Sequence, residues 1–291
     1  MTAVLALFFL AAATPEQRAV DYLAREVPRW QRENHCYSCH NNGDAARALY
    51  TAIRMRHRVP EAAVADTTAW VAHPAQWDSN RGNPAFSDKN LARIQFAAAL
   101  AEAISAGETR DRQALIQAAE SLLPGQKPDG SWQVDAGGTV GSPATYGPYL
   151  ATYMVRRTLE QAGDKRFADR IARADAWFRV SHPVATLDRA AVVLAMPEES
   201  AALRSAILEA QNPDGGWGPY RHTPSEVFDT AVVLLALKKG GSVARGRAWL
   251  VKNQQPEGDW TETTRPAGSQ SYAEHISTAG WATLALLATS Q

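Results

Sequence analysis

Cys36-Tyr-Ser-Cys39-His40 is the sharpest chemical pattern in this 291-residue chain. Two thiols at this spacing, with a histidine beside the second, match the C-x-x-C-H of covalent haem attachment. In that chemistry the thiols become thioethers and the imidazole ligates iron. The motif uses both cysteines of the chain and runs into the polar stretch Asn41-Asn42-Gly43. The expected cofactor is haem c, held by Cys36 and Cys39 with His40 as metal ligand. A sixth ligand would come from His35, Met55, His57 or His73. Two other chemistries suit the same residues: a Cys36–Cys39 disulfide, or part of another metal site.

The second group is acidic. Glu226 and Asp229 open an apolar run, and Glu274 and His275 open a later one. Together with Tyr146, Tyr220 and His222 they would surround one mouth of a helical ring. There Glu226, Asp229 and His275 are the candidates for acid–base catalysis. A local reading competes. Thr223-Pro-Ser-Glu226 and Ser271-Tyr-Ala-Glu274 both fit a capping box, with Pro224 at the first helical position. His73 and His182 each precede a proline and read as loop histidines.

Helices must position these groups. QKPDGSW (126–132), QNPDGGW (211–217) and QQPEGDW (254–260) repeat one turn, with Gln six residues before Trp each time. Proline and glycine favour the tight turn. The Gln suits unpaired carbonyls at a helix end, and the Trp needs an acceptor for its N–H. After the last two turns, TPSEVFDTAVVLLAL aligns without a gap on SYAEHISTAGWATLA. Helical periodicity elsewhere pairs 16–32 with 44–55, 61–71 with 91–104, 111–123 with 149–159 and 165–180 with 185–196. Six helical hairpins result, and hairpins that expose apolar faces must stack. The expected fold is all-α, an (α/α)6 toroid with inner and outer helices alternating. The turn tryptophans should lie outside the ring, under the ends of outer helices.

Thirty basic residues balance thirty acidic ones, so nothing favours nucleic acid as partner. The apolar run from Val4 to Ala13 is too short to span a bilayer and reads as a signal-peptide core. That gives residues 1–15 as a signal, residues 16–291 as one toroid domain, and a periplasmic or secreted location. No later stretch is long and apolar enough to cross a membrane.

The three Gln-to-Trp turns, with the helices DTAVVLLAL and STAGWATLALL, resemble the repeats of the squalene–hopene cyclase and prenyltransferase superfamily. The resemblance is close over residues 110–289 and loose over 16–105. It implies an α/α toroid with an apolar central cavity for isoprenoid substrates. It also implies a D-x-D-D acid motif before Thr-Ala, whose middle Asp protonates an alkene. Here Glu226-Val-Phe-Asp229 stands there, with Phe228 in the donor position. A squalene–hopene-type reaction is therefore not expected. The prenyltransferase zinc ligands are also missing, since no Cys follows residue 39. Three readings follow. One is an exported haem-bearing toroid that binds or transfers electrons to a partner. The second is an enzyme acting on an isoprenoid-like apolar molecule in the cavity. The third is a non-catalytic scaffold with a disulfide. Aromatic residues around a buried acid would favour the enzyme.

Overall fold

The computed structural model describes residues 13–80, 88–134, 140–268 and 270–290. The apolar run expected to act as a signal falls, up to residue 12, outside the described residues.

Twelve α-helices stand among the described residues: α1 (Pro15–Asn34), α2 (Ala46–Arg54), α3 (Ala65–Val71), α4 (Lys89–Ala106), α5 (Arg112–Leu122), α6 (Gly147–Ala162), α7 (Ala168–Val180), α8 (Thr186–Ala195), α9 (Ala201–Glu209), α10 (Val227–Leu237), α11 (Gly241–Lys252) and α12 (Tyr272–Ala288). A π-helical turn over His40–Ala45 leads into α2. The even-numbered helices form the inner ring. Each packs on the next, and α12 returns to α2, so the ring closes. The odd-numbered helices lie outside. This is the (α/α)6 toroid expected from the sequence.

Local chemistry explains the layering. VFDTAVVLLAL of α10 is apolar nearly all round and is buried from Val227 to Leu234. Outer α7 buries only Ala174 and Phe178. Thr14 caps α1 by accepting from the Gln17 amide, with Pro15 just inside. Asp88 caps α4 in the same way. Gly43 and Gly280 permit the closing seam. A Cβ on Gly43 would lie 2.6 Å from the Gln95 Cβ of α4, and one on Gly280 would lie 3.2 Å from the Asp44 backbone.

The repeated turns act as stitches between hairpins. Their tryptophans are buried between the two layers rather than outside the ring. Each indole donates to a carbonyl ten residues earlier, at the end of an outer helix: Trp132 to Leu122, Trp217 to Ile207 and Trp260 to Leu250, all at 2.8 Å. The indole thus fills the role the sequence suggested for the Gln. The Gln amides bond within their own turn and to the next outer segment: Gln126 to Arg170 O, Gln211 to Ser242 O and Gln254 to Pro15 O. Gln254 thereby ties the last turn to the first helix. The turn glycines Gly130, Gly215 and Gly258 have φ near 100°, and a Cβ on any of them would strike the main chain of the next outer helix.

Trp260→Phe keeps the ring packed but leaves the buried Leu250 carbonyl without its donor. We expect a loss of about 1–3 kcal/mol in urea unfolding with an unchanged helical circular-dichroism spectrum.

Candidate functional site

The inner helices run parallel, so their first turns gather at one mouth and their last turns at the other. At the first mouth, Glu226 and Asp229 come together as expected, but around Arg265. Its guanidinium donates to Asp229, to Glu226 at 2.9 Å and to the Gly141 carbonyl. Asp229 is wholly buried, and its Oδ1 has no hydrogen-bond partner in the protein. Burial pushes its carboxyl up to about 7 even though Arg265 acts in the opposite direction. Burial likewise pushes Asp188, on the first turn of α8, up to about 6, with Arg265 again opposing. Burial works against the charge of Arg265 too, but Asp229 and Glu226 outweigh it. Arg265 fills the space between the acids and fastens its loop to α10.

Two local expectations change here. Glu226 is not part of a capping box. It sits at the N-cap position of α10 with no side-chain cap, and Pro224 lies outside the helix. Thr223 closes the preceding turn with Tyr220 instead. Ser271 does cap α12, accepting from the Glu274 amide at 3.2 Å. The other correction concerns His275, which is not at the mouth. Its ring meets Glu262 at 3.1 Å, Asp259 at 2.9 Å and the Tyr22 hydroxyl of α1 at 3.0 Å. It pins the last turn to the outer layer. Tyr220 and His222 stand in the exposed turn before Glu226.

The Cys36–His40 segment is not an open loop. Cys36 is buried, and both cysteines are free thiols. Burial pushes the Cys39 thiol up to about 12 and the His40 imidazole down to about 4. His40 Nδ1 faces inward to Ser277 Oγ at 2.9 Å. The next five residues, Asn41–Ala45, are buried in the π-helical turn. Haem attachment needs both sulfurs at the edge of one macrocycle and the imidazole over its face. Cys36 is buried and His40 Nδ1 is already taken up by Ser277, so the segment would have to open before both sulfurs and the imidazole met one macrocycle. Among the expected axial partners, His73 turns back on the Ala69 carbonyl, and Met55 lies at the rim of the cavity described below. No group of three or more His, Cys, Asp or Glu suited to a metal occurs among the described residues.

The ring contains an acid that the sequence reading passed over. Asp44, the fifth residue of the π-helical turn, is 1% exposed at the centre of the toroid. Its Oδ1 accepts from the Tyr146 hydroxyl, and its Oδ2 accepts from Gln95 Nε2 at 2.8 Å and Trp281 Nε1 at 3.2 Å. Arg47 stands 3.8 Å away. Burial raises the Asp44 carboxyl, and Arg47, Tyr146, Ser277 and Trp281 pull it down without cancelling that effect. Tyr146 reaches it from the N-cap of α6 with φ of 65°, a strained value for an aromatic residue. Tyr146 and Phe228 both set their rings edge-on to Trp281, at 5.7 Å between centroids. The Arg47 guanidinium lies over the Trp281 face at 4.1 Å. No local sequence signal marks Asp44, which stands in the π-helical turn ahead of α2 beside Asn41 and Asn42.

On the far side of Arg47 and Trp281 a cavity of about 440 Å³ opens towards the second mouth. Its wall includes Leu194, Leu235 and Leu284, and its rim carries Arg54, Arg157 and Lys238. The acids Glu226 and Asp229 do not line it.

No protein-family profile matches the chain. A curated drimenyl diphosphate synthase from Streptomyces showdoensis is 27% identical over 231 residues, which cover 76% of this chain and 35% of that protein. The chain thus spans about a third of the length of that relative. Among solved structures, a protein from Actinoplanes aligns at TM-score 0.60 and 14% identity, over 94% of this chain and 98% of that one. The type II terpene cyclase MstE from Scytonema aligns at TM-score 0.55 and 12% identity, with the same coverage. A glycosidase in complex with glucose aligns at TM-score 0.56 and 13% identity, again over 94% and 98%. These neighbours share the toroid. The cyclase-like toroid expected from the sequence is thus met again in the fold of these neighbours.

Arg265→Met would leave Asp229 buried beside no cation, and we expect about 3–5 kcal/mol of destabilisation. The pH dependence follows from the direction of the shifts. A raised carboxyl holds its proton better in the folded chain, so its contribution is complete below the unfolded value near 4 and is lost as pH rises through the folded value. Asp229→Asn removes that loss. Urea midpoints of the variant should therefore gain on wild type as pH goes from about 5 to about 7.5.

Proposed function

We propose that this toroid is an enzyme that protonates and cyclises an isoprenoid-like substrate in its central cavity, with Asp44 as the acid. The observation that carries the reading is Asp44 itself, a buried carboxyl bonded by Trp281 and Tyr146, with Phe228 packed edge-on to Trp281. Protonating an alkene requires a strong acid held in its protonated state. Burial favours the protonated form, and the three donors stabilise the carboxylate left behind. Burial and these donors act on Asp44 in these two senses.

The aromatic rings serve the second half of the step. As the Asp44 O–H bond breaks and a C–H bond forms on the alkene, positive charge develops on the neighbouring carbon. The Trp281 face already carries the Arg47 guanidinium, so it is an established place for a cation. The substrate chain lies along Leu194, Leu235 and Leu284, and the guanidinium swings off the ring as the alkene arrives. Further alkenes of the chain capture the cation, a proton is finally released to water, and Asp44 is reprotonated. Phe228 replaces the family's proton donor on α10, but here it completes the aromatic wall around a donor supplied by the first inner segment. The solved neighbours described as type II terpene cyclases support this reading, and one of them is a complex with a geranylgeranyl substrate. Haem has no part in it, and export, carried only by the apolar run from Val4 to Ala13, has none either.

The test compares Asp44→Asn with Asp229→Asn. Purified protein is incubated with linear isoprenoids of ten to twenty carbons, and products are identified by gas chromatography and mass spectrometry. We expect cyclic products from wild type, a loss of about 100-fold or more in Asp44→Asn, and retained turnover in Asp229→Asn. Equal turnover by Asp44→Asn with unchanged circular dichroism would remove Asp44 from the reaction.

A further inference from the structure

The cation beside Asp44 is held in a way that depends on the charge of Asp44. Arg47 follows three positions later, at the start of α2, and is 2% exposed. A guanidinium carries N–H donors on all three of its nitrogens. Here Nη1 meets the Met154 sulfur at 3.1 Å, a weak acceptor, while Nε and Nη2 have no hydrogen-bond partner in the protein. Among the described residues its one ion-pair partner is Asp44, 3.8 Å from Nη2. The guanidinium otherwise rests on the Trp281 face at 4.1 Å.

Neutralising one member of such a pair leaves the other as a buried charge without compensation. Asp44 must carry a proton to act as an acid, and burial favours that form. In that form Arg47 keeps only the ring and one sulfur. The cavity in front of it offers more. It opens to solvent at the second mouth, and its wall holds one carboxylate, Glu102. A long arginine stem can lie along an apolar wall with its charged head turned to water. The other titratable or charged groups that face this space are Tyr146 from the start of α6, Tyr153 and Arg157 further along α6, Arg54 of α2 and Lys238 at the end of α10. Glu102 already pairs with Arg54 and Arg157, so Asp44 is what holds Arg47 at the inner end.

We infer that Arg47 is a gate over the Trp281 face, shut while Asp44 is ionised and released when Asp44 is protonated. This rests on the reading of the cavity as the substrate site. One proton then has two effects. It arms the acid, and it clears the aromatic face against which the substrate chain lies. After the proton has gone to the alkene, Asp44 is a carboxylate and draws Arg47 back over the ring. The face stays covered until a proton from solvent restores the acid. The cavity thus takes an apolar chain only in the state that can react with it. Arg47 is a positioning residue here, since the transferred proton never passes through it. The sign of the pH dependence follows. The Asp44 carboxyl is raised above its ordinary value of about 4, so the gate is open below the folded value and shuts as pH rises through it.

The experiment is calorimetric binding of a saturated ten-carbon isoprenoid alcohol, which has no alkene to protonate. It is titrated into wild type, Asp44→Asn and Arg47→Met at pH of about 5 and about 8. We expect wild type to bind it about tenfold or more tighter at the lower pH. Asp44→Asn is neutral at both and should bind tightly at both, within about twofold. Arg47→Met has no gate and should do the same. An arginine that only supported the fold would not, on its loss, copy the loss of charge at Asp44. No binding at either pH, equal affinity at both in wild type, or a wild-type pH dependence kept by either variant overturns the inference. Gated binding of the saturated alcohol, without cyclic product from its unsaturated counterpart, would sink Asp44 as acid and leave the gate. Cyclic product with ungated binding would sink the gate and leave the acid.

Discussion

Closure of the ring is the constraint on which the rest of this structure depends. Six apolar helices can bury all their sides only if the first packs on the last. That requires the α12 backbone to pass close to the Asp44 backbone, which Gly280 permits, and Gln95 of α4 to approach Gly43. Outside, the same closure is made by Gln254, whose amide bonds the Pro15 carbonyl 239 positions away. Inner glycines and outer glutamine act on one seam. Without it, α1 and α12 would each expose an apolar face.

Closure also fixes the electrostatics. Helices that all enter the ring from the same side place every amide end at one mouth and every carbonyl end at the other. The side chains follow this polarity. Asp188, Glu226, Asp229 and Glu274 gather at the first mouth, and Arg54, Arg157 and Lys238 at the second. Arg265 plugs the acidic mouth, and the basic one stays open into the cavity. An approaching anion therefore meets an open basic end, while the acidic end is shut by its own ion pairs.

Between the two mouths, Tyr146 and Trp281 bond Asp44, and Phe228 and Tyr146 both pack edge-on to Trp281. Low polarity there raises the cost of ionising the carboxyl, and donors from three inner helices lower it again. The strained backbone of Tyr146 shows that this arrangement is held by its surroundings rather than by local preference.

Much of the fold was legible in the sequence because it rests on local, repeated interactions. The Gln-to-Trp spacing, the turn glycines and the contrast between DTAVVLLAL and ADRIARADAWFRV are short-range patterns. They set turn, layer and helix order, and so the toroid of six hairpins. The meeting of Glu226 with Asp229 was also legible, since three positions on one helix turn bring them together. What the sequence could not contain was the partner of each group across the ring. Asp44 meets Tyr146 over 102 positions and Trp281 over 237. His275 is turned outward by Tyr22 over 253 positions, and Arg265 reaches Asp229 over 36. Cys36 and His40 look like part of an exposed attachment motif until the first is buried and the second is met by Ser277 of α12. Burial decides whether a thiol, an imidazole or a carboxyl is available, and burial here is set by ring closure. The sequence by itself determined the helices and their order. Only the tertiary structure decided which end is plugged, which is open, and which acid lies in the middle.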